Sequence, residues 1–307
     1  MSPSRNRGAP IQRVGVVGTG AMGGGVVQSL VRAGVPTYAR DIRAEAQDAA
    51  VRSGAMPTAT PAELARACDA MILLVVDADQ IDTVLFGADG AAEALAPDAI
   101  VVLSSTVDPA YPAALAPQLA GRGILLLDSP VSGGPAKAAA GTMTMMVSGD
   151  PGAFQRMRPV LERITGKLFA LGPRAGDASA FKIVNNLLAA ANLAAGAEAM
   201  ALAIRAGLDP QQVFDVVNAS SGESWMFTDR MARALANDYA PRAAAKILTK
   251  DVGIAAALAE RLGVNAPMTR AAHAAFVDAV AAGYGEEDDA ALVKRAADLA
   301  GVPPPGS

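Results

Sequence analysis

A chain of 307 residues, 52% of them hydrophobic and 18% charged, is long enough for about two domains with buried cores and too apolar for extended disorder. A net charge of −4 with no long basic run argues against a nucleic-acid partner. One cysteine, Cys68, excludes an internal disulfide and cysteine-cluster metal sites; one histidine, His273, excludes multi-histidine zinc, so no metal is expected.

Residues 1–10 are polar, rich in Ser, Arg and Pro, and lack the apolar stretch of a secretory signal, so they read as a loose tail. Val14–Val17 is a strand followed by glycines and a helix, and a second strand ends at Asp41. Thr60-Pro61-Ala62-Glu63 combines an N-cap, a proline at the first helical position and a capping-box Glu. Met71–Val76, Ile100–Leu103 and Ile124–Leu127 are short apolar runs bounded by turn residues, the pattern of strands buried on both faces of a parallel sheet. This alternation predicts a doubly wound α/β domain. Two more β-like runs follow, Met143–Val147 and Lys167–Leu171.

After Gly172 strands vanish and Ala-rich helical periodicity runs to the end, with breaks at Gly207-Leu-Asp-Pro210, Ser220-Ser-Gly222, Tyr239-Ala-Pro241, Gly263 and Gly283-Tyr-Gly285. Leu187 to Ile204 is the most apolar long segment. Asn192 and Glu198 interrupt it, which fits a helix buried between protein surfaces better than one facing lipid. The expected organisation is a tail at 1–10, a Rossmann-type domain at 11–172 and an all-α domain at 173–307, entered by one long helix. A cytoplasmic protein with no membrane partner is expected.

Gly18-Thr19-Gly20-Ala21-Met22-Gly23 is a G-x-G-x-x-G directly after a strand. Gly18 makes the tight turn, Gly20 lets backbone approach a pyrophosphate, and Gly23 allows close packing of helix on strand. The anion then sits on N–H groups at a helix N-terminus. Asp41 falls 21 positions after Gly20, where a carboxylate accepts bonds from the ribose hydroxyls and repels a 2′-phosphate. The expected cofactor is NAD, with NADP as the alternative because Arg40 and Arg43 flank Asp41. Val76, last of the Met71–Val76 run, is also counted as a cofactor-binding position.

Hydride chemistry on a hydroxy acid needs a carboxylate holder and a proton acceptor beside nicotinamide. Ser132 with the N–H groups of Gly133 and Gly134, in a loop between strand and helix, suits a carboxylate. Lys182 and Asn186, four apart on a helix, share a face, whereas Asn185 points about 100° away. A lysine serves as acid–base group if burial lowers its pKa; moving it from about 10.4 towards 7–8 costs on the order of 4 kcal/mol.

Five motifs in order, Gly18-Thr-Gly-Ala-Met-Gly23, Ser104-Ser-Thr106, Asp128-Ser-Pro-Val-Ser-Gly-Gly134, Lys182-Ile-Val-Asn-Asn186 and Lys250-Asp251-Val-Gly253, resemble the β-hydroxyacid dehydrogenase family over about Gln12 to Val302. The resemblance implies that Lys182 is the catalytic lysine and Asn186 its partner, and that Ser132 and Gly133 hold the substrate carboxylate. It further implies Thr106 at the nicotinamide end, and Lys250 with Asp251 near cofactor or substrate. Ser221-Gly-Glu-Ser-Trp-Met-Phe227, Asp238-Tyr-Ala-Pro241 and Gly283-Tyr-Gly-Glu-Glu-Asp-Asp289 are similar to the L-threonate dehydrogenase subgroup. That likeness implies L-threonate, oxidised to 2-oxo-tetronate, as the leading substrate, sorted in part by Ser224 and Trp225. 3-Hydroxyisobutyrate or tartronate semialdehyde is the runner-up, and a homodimer or homotetramer is expected.

Gly24 and Gly25 extend the glycine run and are expected to loosen the first helical turn. His273 reads as a surface or packing residue, Cys68 as a buried hydrophobe, Met143, Met145 and Met146 as core, and Glu286 to Asp289 as an acidic run at a helix start. Two rivals are weaker. Imine reductases share the architecture but generally replace the lysine, and a non-catalytic NAD sensor has no need of Lys182 and Asn186 on one face.

Overall fold

A computed structural model describes residues 10–307, so the predicted tail, apart from Pro10, lies outside the described residues. The chain divides into two compact units, Met1–Lys182 and Ile183–Ser307.

The first unit alternates strand and helix: β1 (Val14–Val17), α1 (Ala21–Arg32), β2 (Thr37–Arg40), α2 (Ala44–Arg52), β3 (Met56–Pro57), α3 (Pro61–Ala67), β4 (Ala70–Leu73), α4 (Ala78–Phe86), β5 (Ile100–Leu103), α5 (Ala110–Ala120), β6 (Leu125–Asp128), β7 (Val131–Ser132), α6 (Gly134–Ala140), β8 (Met143–Gly149), α7 (Pro151–Ile164) and β9 (Thr165–Ala170). The sheet order is β3-β2-β1-β4-β5-β6-β8-β7, with β9 on β8. Pairing is parallel from β3 to β6; β8 runs antiparallel to β6 and β7 and parallel to β9. Strand order reverses at β1, so the carboxyl ends of β1 and β4 form the crevice where such sheets take ligands.

These segments are strands because both faces are covered. Every residue of β1, β4 and β5 is buried. Alternation then sorts the side chains: Val14, Val16, Ile72, Ile100 and Val102 meet Val26, Leu30 and Leu161 on one side. Val17, Met71, Leu73, Val101 and Leu103 meet Leu64, Ile81 and Leu115 on the other. The predicted Ile100–Leu103 strand matches β5. The Met71–Val76 run is strand only to Leu73, because after the Leu74 N–H bonds to Val17 O at 2.9 Å the chain leaves the sheet for α4. Met143 and Met145 are core as expected, whereas Met146, on the opposite face of β8, is only half-buried.

Local chemistry sets the helix starts. Thr60 Oγ1 accepts from Glu63 N–H at 3.1 Å as the sequence indicates, while Glu63 Oε2 accepts from Ala59 N–H at 2.7 Å, one residue before the Thr60 N–H of a regular capping box. The expected loosening of α1 is not found. Gly24 N–H donates to Gly20 O at 2.7 Å and closes the turn. Gly25 instead allows α6 to approach: a Cβ there would stand 2.7 Å from Ala139 N and 2.8 Å from Ala138 Cβ.

Helix α8 (Asp177–Arg205) runs from the first unit into the second, which continues with α9 (Pro210–Asn218), α10 (Trp225–Leu235), α11 (Ala245–Arg261), α12 (Pro267–Ala279), a π turn at Val280–Tyr284, a 3-10 turn at Asp289–Ala291 and α13 (Leu292–Ala300). Among the described residues no strand follows β9; one isolated bridge joins Ala244 and Asp288. The first four predicted breaks fall between helices, whereas Gly283-Tyr-Gly285 overlaps the end of the π turn. Length and composition alone would let α8 cross a bilayer. Its inward residues Ala190, Leu193, Ala197 and Met200 instead pack with Phe227, Met231 and Phe276 in the core of the helical unit.

His273 is a packing residue: its Nε2 stands 3.1 Å from where a Cβ on Gly253 would lie, so the glycine makes room for the ring. Cys68 is fully buried. The acidic run leads into a helix start as expected. Asp288 and Asp289 are buried and face arginines of α10, with Arg233 Nη1 2.7 Å from Asp288 Oδ1 and Arg230 Nη2 3.1 Å from Asp289 Oδ2. Asp288 caps the 3-10 turn and Asp289 lies in its first turn, and ion pairing with α10 adds to that placement.

Candidate active site

The Gly18–Gly23 turn has the backbone geometry its residue types require. Gly18 adopts φ +84°, and a Cβ there would lie 2.5 Å from Leu74 O. A Cβ on Gly23 would lie 1.8 Å from Gly18 O, so α1 can follow the turn this closely only with glycine. No side chain caps α1 and no acid occupies its first turn. Backbone N–H groups left to a ligand fit the pyrophosphate of a dinucleotide.

Asp41, at the end of β2, is 7% exposed and tied to this turn. Its Oδ2 accepts from Thr19 N–H at 2.7 Å, and its Oδ1 accepts from Arg43 N–H at 2.9 Å. The carboxylate borders a cleft of about 480 Å³ lined by Arg40, Ile42, Gln47, Thr58 and Glu63, among others. Position, charge and adjoining space suit the adenosine ribose. Arg43 flanks Asp41 in the sequence, but its placement over the turn is a feature that spacing alone did not reveal. Its Nε lies 3.4 Å from Asp41 Oδ1, and its Nη2 stands 2.8 Å from where a Gly20 Cβ would be. A guanidinium therefore overhangs the turn.

The other positions of the first unit lie at the carboxyl edge of the sheet. Val76, 45% exposed, follows β4 and donates its N–H to Gln80 Oε1 at 3.0 Å. Thr106 is half-buried after β5. Ser104 Oγ and Ser129 Oγ, after β5 and β6, are buried with no hydrogen-bond partner among the described residues; both serines stand inside motifs the sequence shows, which gave them no role of their own. Ser132 ends β7; Gly133 and Gly134 adopt φ +124° and +76° and lead into α6. This glycine pair turns backbone N–H groups through an angle that L residues resist. Lys182 lies on α8 and is 8% exposed.

In the helical unit Asn186 and Asp251 are joined. Asn186 Nδ2 donates to Asp251 Oδ2 at 2.7 Å, and Lys250 Nζ lies 3.0 Å from Asp251 Oδ1. Asn186 is 6% and Asp251 4% exposed. Asn185 is exposed, yet its Nδ2 donates to Asn186 Oδ1 at 3.0 Å, so it helps to orient its neighbour. Trp225 opens α10 after the N-cap Ser224, whose Oγ accepts from Phe227 N–H at 3.1 Å, and the Arg230 guanidinium sits 5.4 Å from its ring centroid. Trp225 is thus grouped with the arginines of α10, and Ser224 is occupied as a cap. Among the described residues no group of three or more His, Cys, Asp and Glu is arranged to hold a metal.

A sheet of this order carrying this turn is a dinucleotide-binding fold, and the family models that match the chain make it that of a nicotinamide-dependent dehydrogenase. Residues 13–172 match the family model for the NAD binding domain of 6-phosphogluconate dehydrogenase, and residues 176–296 the one for NAD-binding of NADP-dependent 3-hydroxyisobutyrate dehydrogenase. An L-threonate dehydrogenase of Cupriavidus necator is 47% identical over 92% of this chain and 95% of its own. That of Escherichia coli K12 is 43% identical over 96% and 97%. A solved structure of 3-hydroxyisobutyrate dehydrogenase from Salmonella typhimurium has a TM-score of 0.86 at 41% identity, covering 92% of this chain and 99% of that one. The chain belongs to the β-hydroxyacid dehydrogenase family.

Proposed function

We propose that the protein oxidises L-threonate at C2 to 2-oxo-tetronate with NAD, using Lys182 as general acid–base. The observation that carries the proposed chemistry is a lysine only 8% exposed, one turn before Asn186 on a continuous helix. L-threonate is favoured because relatives of that name align over almost the whole chain. NAD, when bound, takes up the hydride from the carbinol carbon. Ser132 and the N–H groups of Gly133 and Gly134 hold the carboxylate. The neutral Lys182 amine accepts the hydroxyl proton as the carbonyl forms, and the ammonium returns it in the reverse reduction. Asn186, oriented by Asp251, positions the amine or the substrate oxygen, and Lys250 contacts cofactor or substrate oxygens. Trp225 contributes to substrate selection. Cytoplasmic location accords with this metabolic chemistry.

Steady-state rates with L-threonate, D-threonate, L-serine, D-glycerate and 3-hydroxyisobutyrate test the reading; 3-hydroxyisobutyrate stays in the panel because of the Salmonella neighbour's name. L-threonate is expected to give the highest kcat/KM. Preference for another acid would replace the substrate, and dinucleotide binding without any turnover would favour a sensor. The Asp41 carboxylate repels a 2′-phosphate while the adjacent Arg43 attracts it. Because Arg43 Nε lies 3.4 Å from Asp41 Oδ1, that carboxylate offsets the attraction, so NADH is expected to bind more tightly than NADPH in a fluorescence titration, and an equal or reversed order would refute the NAD assignment.

A homo-oligomer also follows from α8. Val184, Leu188, Ala195, Ala199 and Leu202 recur at three-, four- and seven-residue steps on its exposed side, with Leu202 71% exposed. An exposed apolar stripe of this length on a helix whose other side is already packed is ordinarily covered, and a second copy of this chain is the proposed cover. Sedimentation equilibrium is expected to give a dimer or tetramer; a monomer at micromolar concentration would rule that out.

A further inference from the structure

We propose that Asp128 is a positioning residue, whose buried carboxylate locks the first turn of α8 to the strands that lead into Ser132-Gly133-Gly134 and thereby sets where Lys182 stands. The inference rests on the reading of Lys182 as the acid–base group.

Asp128 closes β6 and has no solvent exposure. Its Oδ1 accepts from Ser179 Oγ–H at 2.6 Å. Its Oδ2 accepts from Ser179 N–H and Gly176 N–H, each at 2.9 Å, and from Ser148 Oγ–H at 3.3 Å. Ser148 Oγ in turn accepts from Ala178 N–H at 2.9 Å. The backbone donors at the start of α8 are thus met by β6 and β8. Ser179 lies three residues, nearly one turn, before Lys182, and a helix transmits that placement rigidly, about 1.5 Å per residue. The same strands carry the substrate turn: Asp128 pairs with Ser148, and Ser132 pairs with Thr144, on β8. One carboxylate therefore relates the lysine to the loop proposed to hold the substrate.

A cap alone would not need this residue. Thr60, Asp77, Asp209 and Ser224 cap their own helices from the preceding position. Such local caps satisfy N–H groups without locating the helix. Asp128 reaches α8 from 51 residues away and holds it against a particular strand. It does so despite burial, which pushes its carboxyl above the usual range and outweighs the opposing bonds from Ser179, Gly176 and Ser148. All four donors point at oxygens that only accept, so an amide at this position would turn an N–H₂ group towards a donor.

The test uses the full-length enzyme and whichever acid the wild type turns over fastest in the panel above. Ser179→Ala removes one hydroxyl bond and keeps both backbone donors; Asp128→Asn is the harsher change, and Ser179→Thr restores a hydroxyl. Ser179→Ala is expected to lower kcat by about tenfold or more, since misplacement by about 1 Å can cost 10²-fold. KM and the NADH Kd should change by less than about threefold. The kcat–pH profile should shift, and Ser179→Thr should recover most of kcat. Asp128→Asn, if folded by circular dichroism, should show the same split with a larger loss. Wild-type kcat in folded Ser179→Ala would overturn the proposal, as would a loss shared equally by kcat and NADH binding. Lys182→Ala, run in parallel, separates the two claims. If it is inactive while Ser179→Ala is normal, only the positioning role fails; if it retains kcat, the lysine assignment fails and the positioning role with it.

Discussion

Changing Lys182 to alanine is expected to lower kcat by about 10²- to 10⁴-fold, the range general acid–base catalysis contributes. That corresponds to about 2.7–5.5 kcal/mol of transition-state stabilisation. The NADH Kd should stay within about threefold, because the glycine turn and Asp41 belong to other elements and the amine acts on the substrate hydroxyl. The side chain is 8% exposed, so the change also leaves a small void. A thermal melt must therefore accompany the kinetics, to separate lost chemistry from lost fold. Lys182→Arg is the stricter comparison: a guanidinium keeps charge and length but does not release its proton at working pH, so it should fail nearly as badly. A folded Lys182→Ala enzyme with wild-type kcat would remove the assigned role outright.

Cofactor features were legible in the sequence because their physics is local. Gly18, Gly20 and Gly23 announce a turn that only glycine can make, and Asp41 sits at a distance set by one strand–helix–strand unit. Runs such as Ile100–Leu103 are readable because a strand covered on both faces must be apolar throughout. The two-residue strands β3 and β7 carry no period and escaped. Arg43 over Gly20 escaped as well, since it depends on where a side chain two residues beyond Asp41 folds back. Asp128 stood within a recognised motif, but its bonds to Gly176 and Ser179 cross 48 and 51 residues and leave no spacing to read. Asp251 was placed near cofactor or substrate, whereas the structure adds its bond to Asn186, 65 residues away.

The helical unit holds the largest expected stability effect. Asp288 is fully buried and receives Arg233 in a two-pronged pair, Nη1 to Oδ1 at 2.7 Å and Nη2 to Oδ2 at 3.0 Å. It also accepts from Arg242 N–H at 2.9 Å, Ala243 N–H at 3.2 Å and Ala290 N–H at 3.1 Å. One carboxylate thus joins α10, the segment leading into α11 and the turn before α13. Burial pulls the Arg233 guanidinium below its usual range, against the attraction of Asp288. Asp288→Ala would leave that desolvated cation only the more distant Asp229, whose Oδ2 lies 3.9 Å from Arg233 Nη1, and would strand three backbone donors, at a cost of about 3–5 kcal/mol. Against a total stability of about 5–15 kcal/mol, such a loss removes from about a fifth to all of it. Urea denaturation followed by helical circular dichroism measures it, and a loss below about 1 kcal/mol, the median for an exposed pair, would contradict the buried network. Adding Arg233→Met to Asp288→Ala should recover part of the loss, because it removes the stranded charge while keeping an apolar stem of similar reach. Recovery in the double variant attributes the cost to an unpaired cation; equal loss in both attributes it to the three N–H groups that Asp288 alone satisfies.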